Sequence, residues 1–221
     1  MKNNIKVAIP LKTNSTRVQN KNLRPFYKNK SLFDIKAEQL LKVFDGKDVY
    51  VSSENPIVEK LCKNYGFNFH LRDEELTKAT AKETQIVKAV TSPIPKEFDI
   101  MWAQVTQPLF NDFQGIVDKW EDIKNIHDSL AVVKRINHHI LNEHGIPLNF
   151  SFGYWSKISQ ELPPIYELTW AAFIMKRDML EQAHYQIGRN PYLYEANFPL
   201  VDINTKEDFE IAQICYEKFT K

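Results

Sequence analysis

The chain has 221 residues, 43% hydrophobic, 12% aromatic and 26% charged, and its 29 Lys+Arg against 28 Asp+Glu give a net charge of +1. Those proportions exclude disorder, collagen and coiled coil, and near neutrality argues against a protein that binds nucleic acid by charge. No apolar run approaches the roughly 18 residues that span a bilayer, and Val7 to Ile9 is too short for a signal-peptide core, so a cytoplasmic protein without membrane insertion is expected.

In chain order, Ile5-Lys-Val-Ala-Ile9 reads as a buried strand stopped by Pro10, and a polar stretch without regular periodicity follows it to about Lys30. Helical spacing of Leu32, Ile35, Leu40 and Leu41 predicts a helix over 31–43, then Asp48 to Ser52 is strand-like. Asn55-Pro56 opens a helix, Asn as the cap and Pro at the first helical position, and Gly66 ends it. A strand over 67–71, a helix over 80–91 and a strand over 99–105 come next, and Asn111 is the expected cap of a helix running to about Ile123. Residues 129–134 read as a strand. Residues 136–168 break the rhythm with His138, His139 and His144, several prolines and many aromatics, and are expected to form an excursion or subdomain. Strands at 170–175 and 192–195 and a terminal helix from Thr205 follow, Thr205 and Asp208 having capping-box spacing. Cys62 and Cys215 show no metal or disulfide spacing, and both are expected as buried apolar residues.

Strands alternating with helices predict an α/β protein, one domain over 1–221 with a three-layer α/β/α, mainly parallel, Rossmann-like sheet. Ligands of such sheets bind beyond the carboxyl ends of the strands, which directs attention to loops 10–30, 52–55, 71–80, 104–111 and 196–204.

The first of these loops concentrates charge. Residues 1–36 hold nine Lys or Arg and one acid, a local charge of +8 that leaves the rest of the chain at −7. Within it, Lys12, Arg17, Lys21 and Arg24 alternate with Thr13, Ser15 and Thr16, a mixture suited to polyphosphate because Arg engages two oxygens at once and Lys acts as a point charge. Taken alone the loop reads first as a solvated basic surface; its position directly after the first strand, with the further motifs below, favours the ligand. It is neither GxxxxGK[ST] nor GxGxxG. All six glycines lie outside it, so side chains must carry binding that glycine would otherwise give to the backbone.

Ile9-Pro-Leu-Lys-Thr-Asn-Ser-Thr-Arg-Val-Gln-Asn-Lys-Asn-Leu-Arg-Pro-Phe26 resembles the signature IPARxGSxRxPxKNxxxF of the acylneuraminate and ketodeoxyoctonate cytidylyltransferases. Leu71-Arg-Asp-Glu-Glu-Leu76 with Thr80 to Thr84, Ala103-Gln-Val-Thr-Gln-Pro-Leu109 and Val201-Asp-Ile-Asn-Thr-Lys-Glu-Asp-Phe209 resemble three further motifs of that family, in its order.

The resemblance implies a nucleotidyltransferase of the parallel α/β type that uses CTP and Mg²⁺ to attach CMP to a small acidic acceptor, sialic-acid-like or another ulosonic acid, with pyrophosphate as leaving group. It implies Lys21 and Arg17 as the catalytic cations. Leu11, Lys12, Ser15, Asn22, Arg72 and Thr80 are implied for the nucleotide, Gln104, Glu167 and Arg189 for the acceptor, and Asp202 with Asn204 for the metal. Asn204 departs from the family's DxD pattern by placing a neutral amide where the second acid stands. Read from the residues alone, Arg72 has a second reading as an ion pair with Asp73, Glu74 or Glu75, and Gln104 as a buried amide. Alternatives are a phosphonate or other phosphorus acid as acceptor, a degenerate nucleotide-binding subunit without catalysis, and a nucleotide-sugar-using glycosyltransferase. A homodimer built through 136–168 is also implied by the resemblance.

Overall fold

The computed structural model describes residues 4–15, 17–197 and 199–219. Seven strands, β1 (Ile5–Pro10), β2 (Val49–Ser53), β3 (Asn68–Leu71), β4 (Asp99–Ala103), β5 (Ser129–Ile136), β6 (Ile165–Met175) and β7 (Pro191–Glu195), form one sheet in the order β3-β2-β1-β4-β6-β5-β7. Only β6 runs against the rest, pairing Met101 with Ile174 on one side and Leu130 with Ile174 on the other. The mainly parallel sheet with helices on both faces agrees with the expected fold class.

Strand alternation divides the core into two layers. Val7, Ile9, Val51, Met101 and Val132 face one side, where they meet Phe33 and Ile35 of α1 (Leu32–Leu40), Cys62 of α2 (Ile57–Tyr65), Trp120 of α4 (Phe113–Ile123) and Phe209 of α6 (Lys206–Phe219). Ala8, Ile100, Trp102, Ala131 and Phe173 face the other, covered by Val87 and Val90 of α3 (Glu83–Thr91) and Leu180 of α5 (Arg177–Ala183).

Local chemistry sets the helix ends. Ser31 and Asp34 form a capping box at α1, and Gly66 closes α2 at φ 68°, a left-handed conformation that costs glycine little. Thr205 and Asp208 exchange bonds at the start of α6 as their spacing predicts. Other boundaries correct the sequence reading. Asp112 caps α4, its carboxylate accepting from Gly115 N at 3.1 Å, in place of Asn111. α3 begins at Glu83 because Gln85 Oε1 accepts from Lys82 N, which leaves Thr80 in the preceding turn. β6 reaches back to Ile165, so the excursion proper is 137–164 and hangs from an extended β5–β6 ribbon. Cys62 is buried as expected; Cys215 is only half-buried. Among the described residues no helix is long and apolar enough to cross a membrane.

Candidate active site

β1 releases the chain at Pro10, and Leu11 N donates to Ser52 O at 2.9 Å, so the basic loop starts pinned to the carboxyl end of the sheet. The loop borders two cavities that share Pro10, Lys12 and Gln104. The smaller, about 250 Å³, is lined by Ser15, Arg17, Lys21, Asn22 and Thr106. The larger, about 620 Å³, lies between Arg72, the turn at Thr77–Ala79, Glu83 and Ile86 at the start of α3, and Trp102.

In the smaller cavity the loop meets the segment before α6. Lys21 is buried and donates to Ile203 O. Burial lowers its pKa and the Arg17 charge adds to that, while Asp202 and Asp208 oppose it; the net direction is down. Arg17 Nη2 donates to Asn204 Oδ1 at 3.1 Å, Asn204 Nδ2 to Asp202 Oδ2 at 2.7 Å, and Thr106 Oγ1 to Asp202 Oδ1 at 2.8 Å. Asn22 Nδ2 holds Lys12 O at 2.8 Å. Ser15 is half-buried on the cavity wall; Thr16 lies outside the described residues. Three cationic side chains, Lys12, Arg17 and Lys21, and the hydroxyl residues Ser15 and Thr106 thus line one hollow, an arrangement suited to a triphosphate.

In the larger cavity Lys12 reaches across to donate to Thr77 O at 2.6 Å. Arg72 is buried, with Nη1 on Ser52 O at 2.5 Å and Nη2 on Leu11 O at 3.2 Å. Its ion-pair partner is Glu54, Oε2 at 3.4 Å, and not the Asp73–Glu75 run adjacent in sequence. Thr80 is exposed just past Ala79 on the rim. Gln104 bonds Ala171 O through its backbone amide, and its side chain lines both cavities.

Two expected acceptor contacts are not brought here. Arg189 precedes β7, which runs parallel to β5, and therefore sits at the opposite edge of the sheet, its amide on Asp128 Oδ2 at 2.7 Å beside a separate cavity of about 180 Å³. Glu167 is exposed on the β5–β6 ribbon, 3.9 Å from Lys134, and lines neither cavity. Conversely, the structure adds Glu54, which no sequence motif marked, and gives site partners to Thr106 and Asp208, which lie inside two of the motifs without an assigned site role. Glu54 lies within a loop that strand order singled out, yet nothing in its neighbours signals a role.

Mg²⁺ binds oxygen ligands and commonly takes one or two carboxylates together with substrate phosphates. Asp202 is one such carboxylate beside the hollow, while Asn204 directs its carbonyl at Arg17. Among the described residues no three His, Cys, Asp or Glu side chains gather to hold an ion by themselves. The residues fit one ion shared between Asp202 and phosphate oxygens.

A parallel sheet with a single reversed strand and a cationic hollow at its carboxyl end is the nucleotidyltransferase architecture. A family model described as cytidylyltransferase matches residues 7–212, and the chain belongs to that family. It is 23% identical over 176 residues to an N-acylneuraminate cytidylyltransferase of Streptococcus agalactiae serotype V, a match covering 76% of this chain and 42% of that protein. The chain thus spans about two fifths of the curated relatives it matches. Among solved structures it is similar to CMP:2-keto-3-deoxy-manno-octonic acid synthetase complexed with CTP, at TM-score 0.65 and 17% identity over 97% of this chain and 98% of that one. It is also similar to 4-diphosphocytidyl-2C-methyl-D-erythritol synthase from Anaerococcus prevotii, at TM-score 0.64 and 9% identity over 96% and 98%.

Proposed function

We propose that this chain is a cytoplasmic cytidylyltransferase that transfers CMP from CTP to a small acidic acceptor of the ulosonic-acid type and releases pyrophosphate. The observation that carries the reading is the smaller hollow, where Arg17, Lys21 and Ser15 of the loop after β1 meet Asp202 and Asn204 before α6.

In this reading the triphosphate lies against Ser15, Arg17 and Lys21, and the cytidine extends into the larger cavity toward Leu11, Arg72 and Thr80. The acceptor approaches past Gln104. Its hydroxyl oxygen attacks the α-phosphorus and loses its proton to water, the bond from the α-phosphorus to the oxygen it shares with the β-phosphate breaks, and pyrophosphate carries that electron pair away. Negative charge grows on the non-bridging oxygens, so the work falls to positioned cations and no nucleophilic side chain is required. Lys21, anchored on Ile203 O and flanked by Asp202, is held to meet the α-phosphate. Arg17 neutralises the departing phosphates. Mg²⁺ supplies further charge neutralisation when bound, with Asp202 as its protein ligand.

We assign a second copy of the chain to the excursion. Phe152, Tyr154, Trp155 and Ile158 of the excursion are 66%, 91%, 79% and 61% exposed, an apolar surface of the kind that marks an interface.

The test is pyrophosphate release from CTP with Mg²⁺ across a panel of acid sugars and phosphonates. Release with one acid sugar and CTP, in preference to the other nucleotides, supports the reading. CTP binding with no release from any acceptor favours instead a nucleotide-binding subunit without catalysis, for which Asn204 in place of an acid is the motivating feature.

A further inference from the structure

We propose that Glu54 is a positioning residue of the nucleotide site, one that sets the Arg72 guanidinium and the loop after β1 in the pose that receives CTP; the inference rests on the CTP reading above. Glu54 follows the last residue of β2, and β2 lies between β1 and β3 in the sheet, so it stands between the two loops that border the larger cavity.

Its carboxylate is 4% exposed and bonded on both oxygens. Oε1 accepts from Thr13 N and Thr13 Oγ1, each at 2.7 Å, and Oε2 accepts from Arg72 Nη2 at 3.4 Å. Asn55 Nδ2 adds a bond to Thr13 Oγ1 at 3.4 Å. Burial by itself pushes the Glu54 carboxyl up; the Thr13 hydroxyl and amide and the Arg72 charge outweigh it and hold the group below the usual carboxylate range. Glu54 is therefore ionised at neutral pH.

Arg72 shows what this serves. Nη1 is spent on Ser52 O and Nη2 on Leu11 O and Glu54, while Nε is buried with no partner. These bonds use three of its five N–H groups, and the side chain lines the cavity. Of the groups that hold it among the described residues, Glu54 alone carries charge. An ion pair is a poor device for stability in the interior, since desolvation of two ions offsets their attraction, so a carboxylate placed here is better explained by the orientation it imposes. The same carboxylate ties down Thr13, two residues before Ser15, and so sets both ends of the nucleotide from one point.

The test measures CTP affinity and melting temperature for the full chain, Glu54→Gln, Arg72→Met and the double variant. Gln keeps the shape and an acceptor for Thr13, and replaces the charged acceptor facing Arg72 with a neutral amide donor. Glu54→Gln is expected to weaken CTP binding by the folded chain about tenfold or more, the size of one charge-assisted hydrogen bond, and to melt below the wild type because the buried Arg72 charge loses its partner. In the Arg72→Met background the same change should add little, because the two side chains act as a unit. Wild-type affinity in Glu54→Gln, or additive losses in the double variant, overturns the proposal. Should Glu54→Gln fail to fold, Glu54→Asp decides: drawing the carboxylate back by one methylene should raise the CTP Kd at least about threefold, and wild-type affinity there overturns it too. A wild-type chain that does not bind CTP overturns the functional reading and this proposal together, whereas CTP binding indifferent to Glu54 overturns this proposal alone.

Discussion

Arg17 and Asn204, far apart in sequence, meet through a hydrogen bond of 3.1 Å from Nη2 to Oδ1. The amide of Asn204 works in both directions, since its Nδ2 donates to Asp202 at 2.7 Å. A carboxylate at this position can pair with Arg17 but has nothing to donate to Asp202.

Replacing Asn204 with Asp tests that arrangement. Two carboxylates within hydrogen-bond distance repel and raise the pKa of one of them, unless a cation sits between them. The variant should melt lower than the wild type in EDTA and gain more from Mg²⁺, and Mn²⁺ titrated with CTP present should bind about tenfold more tightly, as expected for added ligand charge. Calorimetric melts with and without metal, and the Mn²⁺ isotherm, check both halves.

Lys21→Ala removes the cation assigned to the transferring phosphate. Loss of one positioned charge donor commonly lowers kcat by about 10²–10³, while the contacts proposed between CTP and Arg17, Ser15 and Arg72 remain. The expected result is a large fall in kcat with a smaller change in CTP affinity, read from steady-state pyrophosphate release beside a binding isotherm. A loss confined to KM assigns Lys21 to ground-state binding only.

Residues whose neighbours carry their reason were legible in the sequence. The apolar runs at Ile5–Ile9 and 129–134 foretold buried strands, and Gly66 and Thr205 marked helix ends by φ or local hydrogen bonding. Where the reason is tertiary the sequence was silent. Trp170 takes φ 57° within β6, beside a register shift opposite Ala131 and Val133, and this irregularity hid the first half of that strand inside the excursion. α5 has seven residues, too few for a helical period to stand out. Arg189 was misplaced because periodicity reveals a strand but not the edge of the sheet at which its preceding loop emerges. Glu54 acquires its partners only when the loops after β1 and β3 close around it.

The exposed aromatics of the excursion yield a prediction about assembly. If Tyr154 and Trp155 cover a second copy, Trp155→Glu places a charge in that contact, and burying an unpaired charge costs several kcal/mol. Sedimentation velocity should show a dimer for the wild type and a single chain for the variant at the same micromolar concentration, with the far-ultraviolet circular dichroism unchanged. Equal sedimentation of the two removes the excursion from the interface.

Lys36 gives the clearest pH signature outside the site. It is fully buried in α1, its ammonium donating to Gln107 O at 3.0 Å and Phe110 O at 3.1 Å and lying 4.8 Å from the centre of the Phe113 ring. Burial lowers its pKa from the ordinary 10.5 to about 7. The folded chain thus releases this proton near pH 7 and the unfolded chain keeps it to about 10.5, so between those values the unfolded state binds more protons and stability rises with pH. One proton contributes at most about 1.4 kcal/mol per pH unit. Below pH 7 both states are protonated and the desolvation cost falls in full on the folded state. Lys36→Met removes that cost together with two hydrogen bonds, so its stability relative to the wild type should be highest at pH 6 and fall steadily toward pH 10. Urea unfolding of both proteins across this range isolates the contribution as a difference, in which other titrating groups cancel. A difference that does not change with pH shows that Lys36 keeps an ordinary pKa in the folded chain.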